Sequence, residues 1–242
     1  MQHSPARRND SSLAAIFFDL DGTLCIPTVP FRDVFGEVVE PLLHRRCDLT
    51  LAGILHRWSD ALMLPGPSTT AGCFRQVLVA CDIAPEEGLV ADLAGRLNAR
   101  WAANQALQPA AQSVLQQLGA TWPLGLITNG PSDAQRAVVD ALSLTSMFRW
   151  LLVSGDADLG VRKPAPAIFA RATCLAGCPP SDALYVGDSA VNDVAGAAAA
   201  GWRTCWLNSP AVAIPAFVPK PDLEIRDLAD LAGLCLAVHP PR

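Results

Sequence analysis

The stretch that decides the fold prediction is Phe17-Phe18-Asp19-Leu20-Asp21-Gly22-Thr23. Phe17 and Phe18 are the last residues of an unbroken apolar run that begins at Leu13. The carboxylates Asp19 and Asp21 follow directly after that run. Continuous apolarity, instead of alternation, is typical of a strand covered on both faces, as in a parallel sheet. While the chain stays extended, side chains two apart point the same way, so we expect Asp19 and Asp21 to face one ligand.

Further short apolar runs recur along the chain, and helical segments separate them. Strands are predicted at residues 124–127, 150–153, 183–186, 204–207 and, more weakly, 223–225. Core helices are predicted at residues 109–118, 132–142, 164–175 and 193–200. Regular alternation of strand and helix predicts an α/β fold with a doubly wound parallel sheet of the Rossmann-like kind.

Residues 28–106 interrupt this alternation. Apolar side chains from Phe31 to Leu43 recur at helical spacing, and residues 51–63, 69–79 and 86–103 are also predicted helices. This block lies between the first and second core strands, so we predict an inserted all-helical cap at 28–106. The core then comprises residues 1–27 and 107–242, and residues 1–11 are expected to form a flexible tail.

Composition excludes several classes of protein. The chain has 242 residues, of which 51% are apolar and 17% charged, which suits a globular fold with a sizeable core. A net charge of -5 argues against nucleic acid or an anionic membrane as the main partner. No uncharged apolar run approaches the roughly 18 residues of a membrane span, and the eight cysteines lack CxxC spacing. We therefore expect a soluble, cytoplasmic protein, with its oligomeric state left open.

Polar side chains follow the other predicted strands at the same edge of the sheet, where ligands of open α/β sheets bind. They are Thr128 and Asn129 after the second strand, and Asp188 and Asp193 after the fourth. With Asp19 and Asp21, the two later acids would crowd one small volume and repel unless a cation intervenes. Oxygen ligands without histidine or thiolate favour a hard divalent ion, and Mg²⁺ is usual where a phosphate shares the site.

Lys163 is singled out by the rarity of its residue type. The chain has sixteen arginines and two lysines, Lys163 and Lys220. A compact point charge that reaches a phosphate oxygen would explain a lysine here. An ordinary surface lysine is the alternative.

Together these motifs resemble the four motifs of the haloacid dehalogenase-like hydrolase superfamily. In chain order they are Asp19-Leu20-Asp21-Gly22-Thr23, Thr128-Asn129-Gly130, Arg162-Lys163-Pro164, and Gly187-Asp188-Ser189 with Asn192-Asp193. Their order and spacing match, and the predicted insertion lies where that family carries a four-helix cap. Four motifs in order make the resemblance specific and extend it over the whole core.

The resemblance implies a role for each motif residue. Asp19 would attack phosphorus and form an aspartyl-phosphate, and Asp21 would act as general acid and then as general base. The implied Mg²⁺ ligands are the Asp19 carboxylate, the Asp21 carbonyl and Asp188. Thr128, Asn129 and Lys163 would hold the phosphate, while Thr23 and Asp193 would support the site.

These roles predict a Mg²⁺-dependent phosphatase that acts on a small phosphorylated metabolite, such as a nucleotide, a sugar phosphate or phosphoglycolate. A phosphoglucomutase-like isomerase, a 2-haloacid dehalogenase and a catalytically silent phosphate-binding protein remain as alternatives. A 2-haloacid dehalogenase would use the same nucleophile without a metal, but that branch lacks the second acid, which is Asp21 here. A receiver-type signalling domain likewise lacks that acid and a helical cap of this size.

Overall fold

The structure is a computed structural model that describes residues 13–238, and the predicted tail at 1–11 lies outside the described residues. A six-stranded parallel sheet forms its centre, in the order β5-β4-β1-β6-β7-β8. The strands are β1 (Ala15–Phe18), β4 (Leu124–Thr128), β5 (Trp150–Val153), β6 (Ala183–Gly187), β7 (Arg203–Leu207) and β8 (Leu223–Ile225). This sheet confirms the predicted α/β fold.

Helices cover both faces of the sheet. They are α5 (Ala111–Gly119), α6 (Ser132–Ala141), α7 (Pro166–Ala176), α8 (Gly196–Ala199) and α9 (Asp230–Val238). Side chains of β1 alternate between two hydrophobic clusters, because successive strand residues point to opposite faces. Ile16 and Phe18 pack with α5, α6 and α9, whereas Phe17 packs with α7 and α8. Both faces of β1 are therefore buried.

In chain order, four helices lie between β1 and β4, and they form a layer separate from the sheet. They are α1 (Phe31–Arg45), α2 (Leu51–Leu62), α3 (Thr70–Ala80) and α4 (Glu87–Ala103). Their inward faces form a hydrophobic cluster of their own, in which Phe35 stacks on Phe74 with ring centroids 5.9 Å apart. Residues 28–106 thus contain the helices that the sequence predicts there.

A two-stranded antiparallel ribbon joins this helical segment to the sheet, and the sequence analysis did not predict it. Its strands are β2 (Cys25–Pro27) and β3 (Gln105–Leu107), with Cys25 opposite Leu107. Strands of three residues are too short to show a periodic pattern. The ribbon places the entry and exit of the helical segment side by side.

Three helix starts also differ from the prediction, and one is that of α7, which begins at Pro166 instead of residue 164. Helix α5 begins at Ala111, two residues after Pro109, because Ala110 before it adopts a left-handed conformation with φ of 65°. The predicted helix at 193–200 begins earlier, as a π-helix over Ala190–Ala195 that continues into α8.

No helix within residues 13–238 is long and apolar enough to cross a membrane.

Candidate functional site

The carboxyl edge of the sheet gathers the predicted site residues. Strand β1 ends at Phe18 directly before Asp19, Thr128 is the last residue of β4, and Asp188 follows β6. Strand β1 pairs with β4 on one side and β6 on the other, so the strand order reverses here. Ligands of doubly wound sheets bind in the crevice at such a switch point.

Lys163 lies at the centre of this edge and is buried. Its Nζ atom donates to Asp19 Oδ1 at 2.6 Å, to Asp193 Oδ1 at 2.7 Å and to the Tyr185 hydroxyl at 2.7 Å. Burial disfavours the charged ammonium, but the attraction of Asp19, Tyr185 and Asp193 outweighs it, so the pKa of Lys163 lies well above its ordinary value. Lys163 is therefore not a surface lysine, and its three protons all point at protein oxygens.

Tyr185 is a site residue that the sequence analysis missed. It is the only tyrosine of the chain, lies in β6 two residues before Gly187, and is buried. Its hydroxyl accepts from Lys163 and donates to the Ile127 carbonyl at 2.7 Å. Its position in a predicted buried strand indicated core packing, so the lysine partner could not be inferred from the sequence.

Asp193 is buried at this edge of the sheet. Its Oδ1 accepts from Lys163, and its Oδ2 accepts from the Ser189 backbone N–H at 2.9 Å. Gly187 makes this approach possible, because a Cβ atom there would lie 2.3 Å from Asp193 Oδ2. Both carboxylate oxygens of Asp193 are thus engaged within the protein.

Asp21 faces a different partner from Asp19. The Asp19 backbone N–H still donates to the Val186 carbonyl at 2.9 Å, as in the sheet, and the chain bends at Leu20 before Asp21. Gln135 Nε2 donates to Asp21 Oδ2 at 2.8 Å and to the Asn129 carbonyl at 2.9 Å. Burial, and next the charge of Asp19, raise the pKa of Asp21 to about 6.

Gln135 is the second residue that the sequence analysis missed. It lies one turn into α6 and is buried, and its Oε1 has no hydrogen-bond partner within the described structure. Only its spacing after the Thr128-Asn129-Gly130 motif could have indicated a role. Gly130 leaves room for it, since a Cβ there would lie 2.7 Å from Gln135 Nε2.

The motif after β4 contributes two different features. The Thr128 hydroxyl is buried and has no hydrogen-bond partner among the described residues. A buried polar group without a partner is costly, so a ligand oxygen beside Thr128 would relieve that cost. The Asn129 side chain instead holds the Lys163 backbone, accepting from its N–H at 2.9 Å and donating to its carbonyl at 3.0 Å.

Thr23 links the two acids at the ends of β1 and β6. Its hydroxyl lies 3.5 Å from Asp19 Oδ2 and accepts from the Asp188 backbone N–H at 3.0 Å. The residue is buried. Thr23 therefore ties the loop after β1 to the loop after β6.

The acidic cluster has the donor chemistry of a divalent-cation site. One carboxylate oxygen from each of Asp19, Asp188 and Asp193 lies within 4.8 Å of the others. Although Asp188 is exposed as a residue, its carboxylate packs against Gly22, where a Cβ would lie 2.4 Å from Oδ2. Desolvation, and next the charge of Asp19, raise the pKa of Asp188 to about 6. An all-oxygen set whose charges repel fits a hard cation such as Mg²⁺.

Comparison with known families agrees with this geometry. The model of the haloacid dehalogenase-like hydrolases matches residues 13–201. The chain belongs to this family. The family match includes every motif residue discussed above and the helical segment.

Individual relatives are consistent with this membership. The chain is 34% identical to a phosphoglycolate phosphatase of Cereibacter sphaeroides over 197 residues, which are 79% of this chain and 83% of that protein. It is 36% identical to a phosphoserine phosphatase of Thermus thermophilus over 108 residues, which are 45% of this chain and 42% of that protein. The alignment thus spans less than half of the T. thermophilus protein.

Solved structures share the fold over nearly the whole chain. A 2-haloacid dehalogenase of Pseudomonas syringae pv. Tomato has a TM-score of 0.72 and 28% sequence identity. The similarity covers 93% of this chain and 98% of that chain. The architecture is therefore that of the family, while the relatives carry names of different reactions.

Proposed function

We propose that the protein is a Mg²⁺-dependent phosphatase that hydrolyses phosphomonoesters through an aspartyl-phosphate. The observation that carries this proposal is that two neighbouring carboxyl groups, those of Asp19 and Asp21, have different hydrogen-bond partners and different electrostatic environments. Asp19 is ion-paired with buried Lys163, whereas Asp21 is held by Gln135 with a pKa raised to about 6. A fixed nucleophile beside a carboxyl that can carry a proton suits both halves of the reaction.

In the first half, an Asp19 carboxylate oxygen attacks phosphorus, and the bond between phosphorus and the ester oxygen breaks. Asp21 gives its proton to the departing oxygen, so the alcohol leaves neutral. In the second half, Asp21 takes a proton from water, which attacks the phosphorus of the aspartyl-phosphate and releases inorganic phosphate. Asp19 is then free for another cycle.

The remaining residues hold the phosphate and the nucleophile. The proposed phosphate contacts are the Asn129 backbone and the Thr128 hydroxyl, which has no hydrogen-bond partner among residues 13–238. Lys163 keeps Asp19 in place, and its positive charge lies beside the phosphate position. Asp193 supports Lys163, since both its carboxylate oxygens are already engaged.

The Asp19 and Asp188 carboxylates and the Asp21 backbone carbonyl would hold Mg²⁺. When bound, the ion supplies positive charge that offsets the repulsion between the carboxylates and the phosphate. Thr23 contributes by joining the loops that carry Asp19 and Asp188.

We further propose that residues 28–106 act as a cap domain on a core made of residues 1–27 and 107–242. The separate hydrophobic cluster of α1 to α4 supports this division. A cap over the carboxyl edge would exclude bulk water and contact the leaving group. The substrate would be a small phosphorylated metabolite in the cytoplasm, where cysteines stay reduced, and all eight cysteines are unpaired.

A 2-haloacid dehalogenase is the second candidate, because the P. syringae structure is similar over nearly the whole chain. Asp21 argues against it, since attack of Asp19 on carbon expels halide without a proton donor. Halide release from a 2-haloacid by the purified protein decides between the two reactions.

The proposed function is tested by phosphate release from a panel of nucleotides, sugar phosphates and phosphoglycolate. We expect release with Mg²⁺, none after chelation, and none from Asp19→Asn. Asp158→Asn is the matched control, because this aspartate is 74% exposed and should retain activity. Activity that is indifferent to chelator would refute the Mg²⁺ assignment, and isomerised sugar phosphate in place of free phosphate would indicate a mutase.

A further inference from the structure

A cavity of about 520 Å³ lies between the four-helix segment and the carboxyl edge of the sheet. Asp21, Asn129, Gln135 and Arg162 line it on the side of the sheet, and residues of all four helices α1 to α4 line it on the other. Ligand pockets for drug-sized molecules span about 300–1,000 Å³. The cavity can therefore hold a leaving group much larger than glycolate.

The wall that the helical segment contributes is mainly aromatic and aliphatic. It includes Phe31, Trp58, Trp101, Leu55, Leu62 and Leu97. Phe31 contacts Trp101 edge-on, with ring centroids 5.2 Å apart and an interplanar angle of 86°. Trp58 and Trp101 both pack in the helical layer and line the cavity. Such a wall favours a flat apolar group.

Two of the three polar side chains that the helical segment places in this wall, Thr70 and Asn98, are already hydrogen-bonded within the protein. The Thr70 hydroxyl donates to Asn98 Oδ1 at 2.6 Å, and Asn98 Nδ2 donates to Asp133 Oδ2 at 2.9 Å. Ser59, the other hydroxyl of the wall, is exposed. Apart from Ser59, a leaving group rich in hydroxyls would therefore meet mainly apolar side chains on this wall, where its hydroxyls lose water without new hydrogen bonds.

We propose that the alcohol part of the substrate carries an aromatic ring, which packs against Phe31, Trp58 and Trp101. This inference rests on the proposed phosphatase function and narrows its substrate class. Esters of ring-bearing alcohols are then preferred over phosphoglycolate and over sugar phosphates. The phosphate lies at Asp19 and Thr128, and the ring occupies the cavity beyond Asp21.

The test compares benzyl phosphate with ethyl phosphate, glucose 6-phosphate and phosphoglycolate on the unmodified protein with Mg²⁺. All four release an alcohol, so differences report mainly on contacts of the leaving group. Burial of a phenyl ring predicts a kcat/KM for benzyl phosphate about tenfold or more above that for ethyl phosphate. Equal values for the two esters would overturn the inference and leave the phosphatase function standing.

A pair of matched leucine variants locates the ring. Leu55→Gln places a polar group in the wall, whereas Leu64→Gln changes a leucine that is 50% exposed and does not line the cavity. We expect Leu55→Gln to lower kcat/KM for benzyl phosphate about tenfold and to change that for ethyl phosphate less than about twofold. A uniform loss for both esters would contradict a ring contact.

Binding of phosphonates, which are not hydrolysed, provides a readout that is independent of turnover. Benzylphosphonate should bind more tightly than methylphosphonate by calorimetry and should change tryptophan fluorescence. If no ester is hydrolysed, the proposed function fails, and this comparison alone decides the inference. Equal affinity for the two phosphonates would overturn the inference that an aromatic ring occupies the cavity.

Discussion

The Nζ atom of Lys163 lies 2.6 Å from Oδ1 of Asp19, although the two residues are 144 positions apart in the chain. Both side chains are nearly inaccessible to solvent. The pair lies at the edge where β1 ends, and Asp193 and Tyr185 take the other two protons of the ammonium. The lysine thus fixes the direction of the Asp19 carboxylate and satisfies a buried cluster of oxygens.

The first prediction concerns this ammonium. Lys163→Met should lower kcat at least a hundredfold and destabilise the fold by about 3–5 kcal/mol, because it leaves buried carboxylates without a counter-charge. Lys163→Arg should also lose activity, since a planar guanidinium cannot replace three contacts around one nitrogen. Phosphate release and urea unfolding measure the two effects.

Lys220→Met is the matched control, because it removes the only other lysine of the chain, which is exposed. It should keep activity within about twofold. If Lys163→Arg folds and keeps full activity, the three contacts of Lys163 are not needed for catalysis.

The second prediction concerns Gln135 and the direction of Asp21. Gln135→Met removes the donor to Asp21 Oδ2 while keeping a similar side-chain volume. We expect about a tenfold loss of kcat for an alkyl phosphate and a smaller loss for p-nitrophenyl phosphate, whose leaving group departs without a proton. Gln117→Met, on an exposed face of α5, is the control. Equal losses for both esters would show that Gln135 does not act through proton donation.

The third prediction concerns the contact between α6 and the helical segment. The Asp133 carboxylate accepts from the Thr70 backbone N–H at 2.8 Å and from Asn98 Nδ2 at 2.9 Å. Asp133→Asn turns one acceptor into a donor that faces other donors, so unfolding free energy should fall by about 1–3 kcal/mol. Urea unfolding tests this, with Asp158→Asn as the surface control. Unchanged stability would mean that this contact does not hold the helical segment to the core.

The fourth prediction concerns Gly187 at the end of β6. A methyl group there would collide with the Asp193 carboxylate, so Gly187→Ala should displace Asp193, reduce activity and cost about 1–3 kcal/mol of stability. Gly95→Ala is the control, because Gly95 is an exposed position of helix α4 where an added Cβ would meet no neighbouring group of the described residues within 4 Å. The control should stabilise the protein by about 0.5–1 kcal/mol. Thermal unfolding with a phosphate assay distinguishes the two variants, and full activity of Gly187→Ala would contradict the prediction.

Much of the architecture could be predicted from local patterns. The continuous apolar runs are found as strands of the parallel sheet, because such runs are stable only when both faces are covered. Asp19 and Asp188 come directly after β1 and β6, and Thr128 ends β4, so parallel topology alone places these three at one edge. What local patterns could not show was the β2–β3 ribbon, whose three-residue strands carry no period.

The sequence by itself determined the fold class, the helical insertion and the identity of the acids at the carboxyl edge. Only the tertiary structure decided which groups pair there. It directed Lys163 to Asp19, Asp193 and Tyr185, it brought Gln135 to Asp21, and it gave the insertion an aromatic wall. The physical reason is that these hydrogen bonds join residues more than 100 positions apart in the chain. A local periodicity reports only on residues a few positions apart, so it cannot indicate such pairs.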